Sequence, residues 1–428
     1  MTTQQIAEIV EKREYFMYNG ESSVAFAIFM QRGFVGYRSV WGNTDFNNSL
    51  SKEEEERKQM RKRISMLVLS LMFAAVMTAC GGKEEAPAEE TVTEDVVVEE
   101  TTETVEEEVV EDVIPEGMYR SELTNELISE DIKNQRPIAA MVDNDKRALP
   151  HYGINQADVV YEMMNSTHNA RVTRLMVLVK DWKNIEQLGS IRSLRPTNIM
   201  LASEWNAIVC HDGGPYHNDA YLAKGYTDNL SGGFARIDNG KPREFTEYIT
   251  TGELEKRIAS AGYSEEYNEY ANEGPHFQFA TESNPVDLST MANSQACTKV
   301  TLPFRNNESY LVYNEESQTY DYFEHGGAHV DAGDNNKQTT FKNVIIQDVT
   351  FSELDENGYM VFNCIGEGRW GWYITNGHAM QITWSKKSDN DVTRFYDFDG
   401  NEITVNTGKT YIALCPDDDF PFVGIIAE

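Results

Sequence analysis

Residues 83–114 contain 14 acidic residues and one lysine, in a monotonous pattern of Thr, Val and Glu. Like charges at this density repel one another, and the segment has too little apolar surface to form a core. We therefore predict that residues 80–117 are an extended, disordered tether. Any globular part of the 428-residue chain must then follow it.

A signal-like segment precedes the tether. Residues 61–63 are all basic, residues 64–79 form an uncharged and mostly apolar run of 16 residues, and Cys80 follows small residues. This pattern resembles a bacterial lipoprotein signal, in which the cysteine is lipidated and becomes the N-terminus. Because a membrane-spanning helix needs about 20 apolar residues, a signal peptide over 60–79 is favoured over a signal-anchor. We expect Cys80 to hold the chain on the extracytoplasmic face of the cell membrane.

Residues 1–59 precede the predicted signal peptide, although a signal peptide normally lies at the N-terminus of a chain. Met60 is a suitable start, so we interpret residues 1–59 as upstream sequence read into the frame. The alternative is a genuine small cytosolic extension, since residues 24–35 are apolar enough to pack.

The balance of charge limits the possible partners. The chain has 37 Lys and Arg against 70 Asp and Glu, a net charge of −33. Nucleic-acid binding needs a surplus of basic residues, so that class is excluded, and an anionic ligand would need a local basic site. Five cysteines in this length exclude a disulfide scaffold. Cys210, Cys297, Cys364 and Cys415 could pair in three ways, but buried free thiols are the simpler prediction.

Beyond the tether, the hydrophobic pattern changes midway. Residues 118–285 mix strand-like runs with helical ones at 196–205 and 252–261, which indicates a mixed α/β domain. Residues 298–428 alternate with period two between turn signals such as Asn376-Gly377, which predicts a β-rich domain, a sandwich or an open barrel. The predicted fold class is α+β. The strands predicted in the first domain are 138–142, 158–163, 175–180 and 207–210.

Arginines cluster in the first domain. Arg174 lies at the start of an apolar strand, while Arg192 and Arg195 precede a helix whose first turn contains Pro196. Ser193 is the predicted N-cap of that helix. A helix N-terminus offers free N–H groups, and arginines add forked donors for phosphate or carboxylate. We predict an anion site here; structural salt bridges to the domain's many carboxylates are the alternative.

Other polar residues follow strands of the same domain. Asp143 and Asp145 end its first strand, where two carboxylates could hold Mg²⁺ or Ca²⁺, and the alternative is an Asx turn that closes the strand. His211 follows another strand, and His276 precedes a short aromatic one. We predict both histidines in the anion site, with hydrogen-bonded structural histidines as the alternative.

Established catalytic motifs are missing from the sequence. It contains no Gly-x-Ser-x-Gly, no P-loop and no His-Glu-x-x-His. His325 and His329 lie four residues apart in a Gly-rich loop, but no third ligand follows at metal spacing. No catalytic residue is predicted.

Several segments resemble the head of the YerB-type lipoproteins, over about residues 118–428 of the chain. They are residues 136–144, 157–162, 173–175, 189–195, 211–214, 275–276, 343–346, 366–368, 382–384 and 407–410. The resemblance implies a surface lipoprotein with a two-part head, each part a domain of unknown function, and it implies no reaction. Two stretches depart from the family pattern: residues 165–171 replace an acidic residue and a Gly-Gly pair, and Phe277 replaces an Asn.

These observations predict a surface lipoprotein whose acidic head binds a ligand or protein partner in the cell envelope. The rival function is a metal-assisted phosphoryl or glycan transferase or hydrolase. In it Asp143 and Asp145 would hold Mg²⁺, the arginines would grip a (pyro)phosphate, and His211 or His276 would act as acid or base. The segment 174–195 is faintly similar to the pyrophosphate-gripping part of LytR-CpsA-Psr-type transferases. A non-catalytic scaffold for protein partners is the third possibility.

Overall fold

The computed structural model describes residues 113–427 except residue 292. The predicted upstream segment, the signal peptide, Cys80 and most of the tether lie outside the described residues. Within them, no helix is long and apolar enough to cross a membrane.

One sheet of 11 strands runs through both predicted domains. Its strands are β1 (Ile138–Asp143), β2 (Val159–Met164), β3 (Thr173–Val179), β4 (Ile208–His211), β5 (Asn229–Ser231), β6 (Ser294–Ala296), β7 (Asn343–Val349), β8 (Gly366–Thr375), β9 (His378–Lys386), β10 (Arg394–Tyr396) and β11 (Thr410–Pro416). Across the sheet the order is β6-β9-β8-β7-β11-β2-β3-β1-β4-β5, and β10 pairs with β9. Because β11 pairs in parallel with β2, the sheet continues from one predicted domain into the other.

A second sheet of six strands is built from the C-terminal half. Its strands are Lys299–Thr301, Tyr310–Asn314, Thr319–Glu324, Gly327–Ala328, Thr340–Phe341 and Gly424–Ile426. The remaining strands form small sheets: Met118–Arg120 with Leu127–Ser129; Gln187–Gly189, Ala235–Arg236 and Glu247–Thr250; Gln278–Phe279 with Thr404–Val405; Val330–Asp331 with Lys337–Gln338; and Phe351–Glu353 with Met360–Phe362.

The α-helices of the described chain are α1 (Pro196–Glu204), α2 (Asp219–Leu222) and α3 (Glu253–Ala261). Two of them confirm the predicted helices, and the four strands predicted in the first domain correspond to β1–β4. The first domain is nevertheless much less helical than a mixed α/β domain should be. The reason is that a second sheet, rather than a full layer of helices, covers much of one face of the long sheet.

The long sheet is buried on both faces, as a near-continuous apolar strand predicts. Along β1, Ile138 and Val142 face one hydrophobic layer, and Met141 faces the other. The first layer also contains Tyr320 of the second sheet, and the other contains Leu201 of α1. Each layer draws on both halves of the chain, so the halves stabilise one another. The free thiols of four cysteines are buried as predicted: Cys210, Cys297, Cys364 and Cys415.

Candidate functional site

Polar side chains converge at one edge of the long sheet. The strands β1, β2 and β4 all end at this edge, and β3 runs the other way and begins there. Arg174, the second residue of β3, is therefore in register with Asp143 on one side and with Met163 on the other. The turn that leads into α1 crosses the same edge and brings Arg192 and Arg195.

Asp143 binds two of the predicted arginines. Its Oδ2 lies 2.7 Å from Nε of Arg192 and 3.9 Å from Nη2 of Arg174. Its Oδ1 accepts a hydrogen bond of 2.8 Å from the backbone N–H of Asp145. Arg192 also reaches Glu244, at 3.3 Å. The carboxylate of Asp143 thus orients the arginines, and its oxygens are already engaged by positive and N–H groups.

Arg174 and Arg195 donate mainly to neutral oxygens. Arg174 donates to the side-chain oxygen of Asn165 (3.1 Å) and the carbonyl of Ser193 (2.9 Å). Arg195 donates to the carbonyls of Asn165 (3.1 Å) and Leu194 (2.8 Å). Among the described residues no carboxylate forms a salt bridge with Arg195, which is only 6% exposed.

Burial and mutual repulsion lower the pKa values of these guanidinium groups. Burial lowers the pKa of Arg174 to about 10; the carboxylate of Asp143 opposes this and the charge of Arg192 adds to it. Burial, followed by the charge of Arg174, lowers the pKa of Arg195 to about 9. Both groups therefore stay charged at neutral pH, in a protein that is otherwise strongly acidic. Guanidinium groups that converge in this way are donors for a phosphate or carboxylate, so the cluster is a candidate anion site.

The rim of this cluster comes from segments that the sequence did not single out. The guanidinium of Arg195 lies 4.7 Å from the ring centroid of Tyr359. Nearby, His217 pairs with Asp355 at 2.9 Å, and Tyr216 is 72% exposed. Tyr359 and Asp355 belong to the C-terminal half, so both halves of the chain build the site. Only the general enrichment of aromatic residues at binding surfaces could have pointed to them.

The helix start differs from the prediction at one residue. Pro196 does occupy the first turn of α1, but the N-cap is Arg195, whose backbone N–H donates to the side chain of Asn198 at 2.9 Å. Ser193 is therefore not the N-cap. It contributes to the cluster through its carbonyl, which accepts from Arg174.

His211 lies beside the arginines but is held by its neighbours. Its Nδ1 is 2.9 Å from the carbonyl of Gly213 and its Nε2 is 3.3 Å from the side chain of Asn229. Burial lowers its pKa. The backbone of Asp212 donates to the carbonyl of Arg192, at 3.0 Å. His211 thus supports the loop under the arginines.

Two predicted residues lie apart from the cluster. His276 stacks on Trp205 with centroids 3.4 Å apart and approaches Glu204, at the other end of α1 from Arg195. Asp145 pairs with the exposed Arg147 at 2.8 Å and accepts from the backbone of Arg147, which is an Asx turn. The structure therefore does not bring His276 to the arginines or aim Asp145 at a shared ion with Asp143.

A buried carboxylate network lies next to the arginine cluster. Glu162 of β2 is fully buried and accepts hydrogen bonds from six donors on neutral side chains. They are Asn144, Thr173, Asn307, Ser309, Tyr322 and Tyr411. Burial, followed by the charge of Glu162, raises the pKa of neighbouring Glu324 to about 8. This network joins the two halves where β2 meets β11.

A cavity of about 1260 Å³ lies elsewhere in the described part of the chain. It is an open groove lined by residues 280–291, by Tyr373 and Met380, and by the half-exposed Phe398. None of the predicted site residues lines it. We base the candidate site on the arginines, because converging charged donors rather than volume recognise an anion.

Comparisons with known proteins match both halves of the head. Residues 123–264 match the N-terminal domain, and residues 300–412 the C-terminal domain, of "Protein of unknown function (DUF3048)". The curated protein "Putative lipoprotein YerB" of Bacillus subtilis (strain 168) is 22% identical over 322 residues, which are 72% of this chain and 90% of that protein.

A solved structure shares the fold. The crystal structure of YerB protein from Bacillus subtilis matches with a TM-score of 0.61 and 20% identity, over 72% of this chain and 99% of that chain. That crystallised chain, matched almost end to end, corresponds to the size of the described part alone. That solved chain therefore contains a head of this kind and almost nothing else.

Proposed function

Because the chain belongs to the YerB-type lipoprotein family, we propose that it is a lipid-anchored protein of the bacterial cell envelope whose head binds an anionic ligand at Arg174 and Arg195. The ligand class is a molecule that carries a phosphate or carboxylate group. The membrane anchor is the lipidated Cys80, at the end of the signal peptide at 60–79, and the acidic tether separates the head from the membrane. The name of the Bacillus subtilis relative supports this anchoring.

The observation that carries the binding proposal is the buried Arg195. Burying a charged group away from water costs about several kcal/mol. A nearby opposite charge can offset this cost. Among the described residues Arg195 donates only to neutral carbonyls and lies over the face of Tyr359. Arg174 repels it, and Asp355 attracts it without forming a salt bridge. An incoming phosphate or carboxylate would supply the missing negative charge. Arg192, whose side chain is 23% exposed, is the most accessible of the three arginines.

The test is thermal unfolding of the head, residues 113–428, with pyrophosphate, prenyl phosphates and cell-wall fragments, each with and without Mg²⁺. A ligand present at about 100 times its Kd should stabilise the native state by about 2.7 kcal/mol. Arg195→Gln should lose this stabilisation, while Lys256→Gln, an exposed change of the same charge on α3, should keep it.

The stability of the free variant gives a second readout. Since the wild-type guanidinium is buried without a carboxylate, we expect free Arg195→Gln to be at least as stable as the wild type. Equal ligand stabilisation in Arg195→Gln and wild type would refute the site. If no compound stabilises the wild type, the anion proposal fails and the scaffold alternative gains support. A ligand effect that depends on Mg²⁺ would favour the metal-assisted alternative.

A further inference from the structure

Three buried metal-ligand side chains meet where the loop after β1 contacts the second sheet. They are His151, Glu324 and His329, and their ligand atoms all lie within 4.8 Å of one another. The Nδ1 of His151 is 2.8 Å from the Nε2 of His329, which is 3.7 Å from Oε1 of Glu324. Their exposures are 0, 2 and 2%. His151 comes from the N-terminal half and the other two from the C-terminal half.

The tautomer of His151 follows from its outer contact. Its Nε2 lies 2.6 Å from the carbonyl oxygen of Asp143. A carbonyl can only accept, so the ring proton of neutral His151 resides on Nε2. The Nδ1 of His151 therefore presents a lone pair toward His329.

The tautomer of His329 follows from a chain of three hydrogen bonds. The amide nitrogen of Asn155 donates to Asp334 (3.0 Å) and to the carbonyl of Lys337 (3.3 Å), which fixes the amide orientation. The side-chain oxygen of Asn155 must then accept from Thr339, at 2.8 Å. With its single proton committed there, Thr339 can only accept from Nδ1 of His329, at 2.9 Å. The Nε2 of His329 therefore also presents a lone pair.

Two nitrogen lone pairs thus face each other across 2.8 Å, and a carboxylate oxygen faces the same point. That oxygen, Oε1 of Glu324, is buried without a hydrogen-bond partner among the described residues. The side-chain oxygen of Asn307 is also buried without a hydrogen-bond partner among the described residues. The side-chain nitrogen of Asn307 donates to the other oxygen of Glu324, at 3.2 Å. Such an arrangement of acceptors repels itself unless a proton or a metal ion lies between them.

We propose that His151, Glu324 and His329 bind a divalent transition metal ion of the zinc type. Two imidazoles and one carboxylate, with a fourth position left for water or another oxygen, are a ligand set that Zn²⁺ takes, whereas Mg²⁺ and Ca²⁺ prefer oxygen ligands alone. Each imidazole is oriented by an acceptor on its outer nitrogen, as in known zinc sites. Two nitrogens at about 2.0–2.1 Å from one tetrahedral zinc lie about 3.3 Å apart, so a shift of about 0.5 Å accommodates the ion.

The metal would join the two halves of the chain. His151 is hydrogen-bonded to the backbone carbonyl of Asp143, and the side-chain carboxylate of Asp143 binds Arg192. A metal ion at His151 would therefore also stabilise the loop that carries the arginine cluster. The metal site does not depend on the anion site, because its ligands are separate residues and its readout is metal content.

The test uses the full chain in detergent, stripped with a chelator and dialysed, and then given Zn²⁺ or Co²⁺. We expect one metal ion per chain by elemental analysis, a visible absorption band typical of four-coordinate Co²⁺, and a higher unfolding temperature with Zn²⁺. Glu324→Gln and His329→Gln should weaken metal binding at least about tenfold, and Thr339→Val, which removes the outer acceptor, about 10- to 100-fold. His168→Gln, an exposed change, should bind like the wild type.

Two results would overturn the proposal. One is a wild-type protein that takes up neither metal at micromolar free concentration, in which case a single shared proton holds the two imidazoles together. The other is stoichiometric uptake that Glu324→Gln and Thr339→Val leave unchanged, because the metal would then be bound elsewhere. The second variant changes no metal ligand, so it keeps the test decisive if His329→Gln does not fold.

Discussion

Removing Lys386 should destabilise the protein strongly, because this residue neutralises a buried carboxylate. The Nζ of Lys386 lies 2.9 Å from Oε2 of Glu204, and both side chains are fully buried. Glu204, on α1, also accepts from the backbone and hydroxyl of Thr393 and from Tyr161. The pair therefore connects the N-terminal half to β9 and the segment after it.

The expected loss of unfolding free energy follows from the pKa of Glu204. Burial would raise this pKa, but Lys386 and His276 more than compensate and lower it from 4.5 to about 2. At about 1.36 kcal/mol for each pKa unit, this fall corresponds to about 3 kcal/mol in favour of the ionised native state. Breaking a buried pair by removing one partner costs about 3–5 kcal/mol. We expect Lys386→Met to lower the free energy of unfolding at pH 7 by about 3–4 kcal/mol.

The contribution of Glu204 to stability should depend on pH with opposite signs in the wild type and in Lys386→Met. In the wild type the folded-state pKa lies below the unfolded one, so this stabilisation is present above about pH 4.5 and is lost as the pH falls towards 2. In Lys386→Met only burial and weaker contacts remain, so the pKa of Glu204 rises above its ordinary value. Its contribution to stability should then fall as the pH rises above about 4.5.

The assay is urea unfolding of the head between pH 3 and 8, followed by far-ultraviolet circular dichroism. Lys387→Met, an exposed change one residue along, is the control and should cost less than about 1 kcal/mol. The double variant Lys386→Met with Glu204→Gln should recover part of the loss, since no unpaired charge is left buried. Equal stabilities of the Lys386 and Lys387 variants, or parallel pH profiles of wild type and Lys386→Met, would refute the reasoning.

Three further changes test other parts of the molecule. Tyr411→Phe removes one of the six donors to buried Glu162 and should cost about 1–2 kcal/mol in urea unfolding, more than a surface Tyr→Phe change. Gly214→Ala would place a Cβ 2.2 Å from the side-chain nitrogen of Asn218, so the loop beside the arginines should shift and the unfolding free energy should fall by about 1–3 kcal/mol. Cys80→Ser should abolish labelling by radioactive fatty acid and move the protein from the membrane fraction to the soluble one; labelling that persists would contradict the proposed anchor.

Local patterns predicted most of the elements correctly. Apolar runs and period-two alternation depend on which neighbouring residues can be buried together, so β1–β4, α1 and α3 could be found from the sequence. Asp143 could be expected near Arg192 and Arg195, since the carboxyl ends of strands in one sheet gather ligand-binding loops. Arg174, at the start of β3, joins them only because β3 runs antiparallel to β1. The N-cap was misplaced by two residues because the helix begins at Pro196, which makes Arg195 the N-cap, and the side chain of Asn198 accepts from the backbone N–H of Arg195.

The balance of helix and sheet was not predictable in the same way. Nothing local in residues 118–285 shows that a second sheet from beyond residue 298 packs on the first, which is why a separate mixed α/β domain was expected. The pairing of β11 with β2 likewise joins residues about 250 positions apart, as in the contact of Tyr411 with Glu162.

The signal-like segment, the acidic segment after it, the family resemblance and the arginine-bearing turn could all be recognised from adjacent residues, because each depends on local composition or spacing. Which charges lack an ion-pair partner, and which distant groups meet, depends instead on how the described strands and loops pack. Glu324 lies only five residues before His329, but the third ligand, His151, is 178 residues from His329 and reaches them only through packing. The physical reason is that a ligand set or an ion pair is defined by distances of about 3–4 Å in space, which sequence spacing does not encode across two halves of a shared sheet.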